Sequence, residues 1–135
     1  MRLSFRQYLL NEMYIALVLN DQTRAKLRTT FPPKYKEFIG HHVTLKFGVP
    51  NDTPLPKHQH TTEVVGYADD GEGIEALVVA VNGKTQRSDG STYHITWSLD
   101  RSKGYKPVDS NKLLSKGYKK LDSAIDITTK VELLK

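Results

Sequence analysis

A chain of 135 residues, 38% hydrophobic and 26% charged, is long enough to bury a core of its own and is not a disordered tail. It has no cysteine, which excludes a disulfide framework, thiol catalysis and thiolate zinc sites. Twenty Lys and Arg against fifteen Asp and Glu leave a charge of +5, which suits a phosphate-bearing partner such as a nucleotide or RNA, and the longest apolar run, Ile15 to Leu19, is far too short to span a membrane.

In chain order, Ser4 to Glu12 carry Phe5, Tyr8 and Leu9 on one side of a predicted short helix. Met13 to Leu19 is an apolar, β-branched strand. Asn20 or Asp21 caps a helix reaching about Thr29, and Phe31-Pro32-Pro33 stops it. His41 to Phe47 is a strand, followed by a loop with three prolines from Gly48 to Lys57. Thr61 to Ala68 and Ile74 to Val81 flank Asp69-Asp70-Gly71-Glu72-Gly73, a hairpin signal. Asn82 to Gly90 is a polar loop, and Thr92 to Leu99 a further strand. Asp109 or Ser110 caps a short helix that Gly117 ends. Leu121, Ile125, Ile127, Val131 and Leu133 alternate with polar residues and form one or two last strands. Five to seven strands with two or three short helices describe an α+β domain with largely antiparallel pairing.

Two of these strands match. His42-Val43-Thr44-Leu45-Lys46-Phe47 and His94-Ile95-Thr96-Trp97-Ser98-Leu99 both read His, apolar, Thr, apolar, polar, apolar. Regular alternation puts His42, Thr44 and Lys46 on one face, and His94, Thr96 and Ser98 on one face, with Val43, Leu45, Phe47, Ile95, Trp97 and Leu99 turned to the core. A merely solvated face would not require the same order twice. Paired imidazoles suit phosphodiester chemistry, because a neutral one can take a proton while a charged one gives a proton to a departing oxygen. The threonine hydroxyls can donate to the phosphate, and no metal or cofactor is called for. His41 points to the opposite face and reads as structural. His58 and His60 form a His-x-His in the Pro-rich loop that reads as solvated rather than as half a metal site.

On these two motifs the chain resembles the 2H phosphoesterase superfamily, named for its two His-x-Thr/Ser motifs. The superfamily includes RNA 2′,3′-cyclic phosphodiesterases, the cyclic phosphodiesterase domains of tRNA ligases, and phage enzymes that destroy cyclic oligonucleotide alarm signals. The resemblance runs from about Tyr14 to the last strand. It implies a single domain over residues 13–135 with a bilobal α+β fold, two mainly antiparallel sheets forming a central cleft and short helices outside. It also implies catalytic roles for His42 and His94 and phosphate binding by Thr44 and Thr96. The implied substrate is a cyclic phosphate, either an RNA 2′,3′-cyclic end or a cyclic nucleotide or oligonucleotide. The alternative is a non-catalytic module that keeps the cleft and sequesters RNA or a nucleotide, which the positive charge and Tyr105 favour.

Further candidate substrate contacts are Tyr14, Lys46, Arg87, Ser98, Tyr105 and Lys106: cations that could offset phosphate charge, a hydroxyl beside a motif and aromatics that could stack on a base. Residues 1–12 form either an ordinary helix packed on the domain or a leader, since Ser4 to Glu12 resembles the amphipathic leaders of large myovirus-type phage proteins. Leu10-Asn11-Glu12 is similar to the Leu-x-Glu sites of prohead proteases. The expected location is cytoplasmic, that of the host if the chain is phage-encoded, with packaging into the capsid as the leader's implication. No membrane and no obligate protein partner is expected.

Overall fold

The structure, a computed structural model, describes residues 13–57 and 59–135. The helix or leader expected over residues 1–12, and His58 of the His-x-His, lie outside the described residues.

Strand β1 (Met13–Leu19) leads into helix α1 (Asp21–Thr30). The Asn20 side chain caps α1 by accepting from the Thr23 N–H at 2.8 Å, and Leu27 anchors the helix in the core. The Phe31 N–H closes the last turn on the Leu27 carbonyl before the two prolines end it. A two-residue strand that the sequence pattern does not reveal, β2 (Glu37–Phe38), precedes β3 (His42–Val49). The hairpin β4 (Thr62–Asp69) and β5 (Ile74–Val81) turns where expected, because Asp70 Oδ1 accepts from the backbone N–H groups of Glu72, Gly73 and Ile74. Then come β6 (His94–Leu99), a single 3₁₀ turn over Arg101–Lys103, helix α2 (Asp109–Ser115), β7 (Lys119–Asp126) and β8 (Thr129–Leu134).

The described residues therefore hold eight strands, more than expected. Neither Asp109 nor Ser110 caps α2 from outside. Asp109 is already helical, and its carboxylate accepts from the Lys106 N–H at 2.8 Å.

All pairings are antiparallel and form two sheets, β3-β1-β8 and β2-β6-β5-β4-β7. The chain crosses between them four times: through α1 between β1 and β2, at residues 39–41, between β3 and β4, and between β7 and β8. The last segment is thus two strands in different sheets, with Ile127 N–H on the Thr62 carbonyl at the junction. One buried cluster joins the sheets: Leu17 and Val43 come from the smaller, Val64, Leu77, Val79, Ile95 and Trp97 from the larger, and Leu27 from α1. A second cluster lies under α2, between Leu113 and Leu114 and the Ile74, Ala76, Val78 and Leu99 side chains. No helix among the described residues is long and apolar enough to cross a membrane.

Candidate active site

His42 and Thr44 come from β3 of the smaller sheet, and His94 and Thr96 from β6 of the larger. All four line one pocket of about 440 Å³. The two strands are built alike. His42 pairs with Val18 and Thr44 with Ala16, while His94 pairs with Val78 and Thr96 with Ala76. Each Thr thus faces a small alanine across the ladder.

Both strands then break register at the same place. Ala16 pairs with Thr44 but Ile15 with Lys46, so Leu45 is an extra residue; Ala76 pairs with Thr96 but Glu75 with Ser98, so Trp97 is extra. A bulge of this kind reverses the facing of the residues beyond it. Three expectations from strict alternation are corrected. Lys46 is turned to the face of Ile15 and does not line the pocket. Ser98 is fully buried on the other face of its sheet, where its Oγ accepts from the Tyr35 N–H at 3.1 Å. Phe47, expected in the core, is 67% exposed at the pocket and stacks on Tyr14 with ring centroids 5.8 Å apart.

Tyr14 also lines the pocket and leans on the His42 ring at 5.3 Å. Arg87 reaches in from the loop between β5 and β6. Its Nε donates to Asp89 Oδ1 at 3.0 Å and its Nη2 to Asp89 Oδ2 at 2.8 Å, while Ser91 Oγ and the Thr44 carbonyl accept at 3.1 and 3.5 Å. The Arg87 side chain is only 10% exposed, so a loop of the larger sheet is fixed against the motif strand of the smaller. Thr96 Oγ1 lies 2.9 Å from Ser110 Oγ of α2. Tyr105 and Lys106 are not brought to the pocket. Tyr105 packs over Gly73 and lines a separate hollow with Glu72 and Lys112, and the Lys106 N–H is held by Asp109. Their neighbours Pro107 and Val108 line the pocket instead.

Pattern reading overlooks Ile39, Phe47, Asp89, Pro107, Val108 and Asn111 of this lining. The one local signal is Asp89, two residues after Arg87 in a Ser-Asp-Gly turn. Strict alternation also puts His41 on the opposite face, whereas His41 Nδ1 lies 3.1 Å from His42 Nδ1.

The electrostatics favour neutral imidazoles in the free protein. Burial, with the neighbouring imidazoles of His41 and His94 adding to it, lowers His42 to about 4. Burial also lowers His94; its hydrogen bond to the Thr92 carbonyl opposes the shift and the Arg87 guanidinium reinforces it. His94 Nδ1 lies 2.7 Å from that carbonyl, which can only accept, so Nδ1 carries the hydrogen and Nε2 is left to exchange protons. The chain matches no family model, no curated protein and no solved structure.

Proposed function

We propose that the chain is a phosphodiesterase of the 2H type that hydrolyses a cyclic phosphate, its two sheets acting as the two lobes around the reacting group. The observation that carries this reading is the convergence of His42, Thr44, His94 and Thr96 from two separate sheets on one pocket. One imidazole takes a proton from water or from an adjacent ribose hydroxyl. The other, charged, gives its proton to the leaving ribose oxygen, and the scheme calls for no metal. The Thr44 hydroxyl, the Thr96 hydroxyl once it turns from the Pro107 carbonyl to which it donates at 3.3 Å, and the clamped Arg87 are donors for the non-bridging oxygens, where negative charge grows in the transition state. The Tyr14–Phe47 pair and exposed Val108 offer flat apolar surface to a base beside the phosphate.

The test is a panel of 2′,3′-cyclic mononucleotides, RNA ends with a cyclic phosphate, and cyclic di- and trinucleotides, assayed with EDTA present. Turnover of at least one, lost in His42→Ala and in His94→Ala, is expected. A ligand that binds at micromolar level but is never cleaved would instead establish the sequestering module.

A further inference from the structure

We propose that His41 is a positioning residue for His42: the contact between their Nδ1 atoms sets which ring nitrogen of His42 carries its proton, and so whether Nε2 takes or gives one in the pocket. The role in turnover rests on the catalytic reading of His42, whereas the contact can be tested without turnover.

The backbone aims His41 at its neighbour. Gly40 has φ 46°, and a Cβ there would lie 2.4 Å from the Phe38 ring, so a glycine is needed where the chain turns into β3. The Gly40 N–H donates to the Thr96 carbonyl at 3.0 Å, and the His41 carbonyl accepts from the Leu19 N–H at 3.0 Å. Arg24 donates to the Gly40 and Ile39 carbonyls at 2.9 and 3.0 Å. With its backbone tied on both sides, the exposed His41 ring meets His42 edge to face, with centroids 5.3 Å apart and planes 79° apart.

Two ring nitrogens form a hydrogen bond only when one carries hydrogen and the other does not. His94 has no choice of tautomer, because its Nδ1 partner is a carbonyl. His42 has a choice, because its partner is an imidazole. With a lone pair on His41 Nδ1, His42 donates from its own Nδ1. Its Nε2 is then a base when His42 is neutral and an acid when His42 is charged. With hydrogen on both nitrogens of His41, the donation reverses. His42 is held as the Nε2–H tautomer, which cannot accept at Nε2, and the added charge opposes its protonation. The other groups facing His42 are the Tyr14 ring from β1, His94 from β6, and Arg87 on the Thr44 carbonyl. Arg24 is the cation on the His41 side.

The test uses the full chain and ¹⁵N NMR of the His42 ring during a pH titration, in wild type, His41→Ala and His41→Asn. Asparagine offers an accepting oxygen that does not titrate. In wild type the His42 ring should move to the Nε2–H tautomer as His41 gains its second proton. His41→Ala should abolish that coupling, and His41→Asn, whose amide can accept or donate but does not titrate, should leave the His42 tautomer independent of pH. On a 2′,3′-cyclic nucleotide, His41→Ala should lower kcat roughly tenfold, a part of what a proton-transfer group supplies, with KM within about twofold. His41→Asn should recover most of kcat and flatten the acid limb. The same His42 tautomer and titration in wild type and His41→Ala would overturn the proposal. Coupled titration without turnover of any cyclic phosphate would support the contact and overturn the catalytic reading alone.

Discussion

His42 and His94 sit where a proton is disfavoured, yet acid–base cleavage needs one of them charged. On the proposed function, a phosphate anion in the pocket would supply the missing counter-charge, so binding a phosphodiester should draw a proton into the pocket. Calorimetry of a non-hydrolysable phosphodiester at pH 6.5, in buffers of different ionisation enthalpy, should show net proton uptake; zero uptake would contradict the lowered His42. The same shift bears on stability. A histidine whose folded pKa lies below its unfolded value binds fewer protons folded than unfolded, so stability falls as pH drops through the ordinary range near 6.5. The loss levels off below about 4, the value for His42. Melts at pH 7 and pH 4.5 should therefore differ less in His42→Ala than in wild type. In turnover, His42→Ala and His94→Ala should each cost about 10²–10⁴-fold in kcat. Thr44→Ala and Thr96→Ala should cost roughly tenfold, since each removes a single hydroxyl donor.

At the scale of elements, the paired bulges after the two threonines decide which side chains reach the pocket. Phe47→Ala should raise KM about tenfold or more, the order of one lost stacking contact, and leave the melting temperature nearly unchanged because the ring is already 67% exposed. Lys46→Ala, on the far face, should leave KM within twofold; a large rise there would argue against the register break. The bulges also mark where sequence reading stops. Asn20 as a cap, Asp70 in its turn and the alternation of His42, Val43 and Thr44 are local, set by residues within a few positions, and can be read directly. The facing of Lys46, Phe47 and Ser98 depends on the partner strand, which skips a residue at Leu45 and at Trp97 with no sign in composition. Strand β2 is hidden for the same reason: two residues have no period, and Glu37–Phe38 is a strand only because β6 lies beside it. His41 is misplaced when strict alternation is extended one residue past the start of β3, across the turn at Gly40.

At the scale of the molecule, the site exists only while two sheets keep a fixed relation, and Trp97 stands where that relation is made. It is fully buried in the cluster that joins the sheets, its Nε1 donates to the Phe31 carbonyl at 2.7 Å, and the Phe38 ring meets it edge to face at 4.9 Å. It is also the bulged residue directly after Thr96, so the packing that welds the sheets turns the motif strand as well. As the chain's single tryptophan, it reports on the junction without interference. Because one core spans both sheets, its fluorescence and the far-UV circular dichroism should follow the same denaturant transition. Two separated transitions would mean that the sheets fold independently. Trp97→Ala removes the largest side chain of that cluster and leaves the Phe31 carbonyl without its donor, a loss of about 3–5 kcal/mol. For a chain of this size that should lower the melting temperature by more than about 10 °C. His94→Ala, three residues earlier on the pocket face, should lower it far less. Comparable losses in the two variants would mean that β6 does not divide its faces between core and chemistry as the bulge requires.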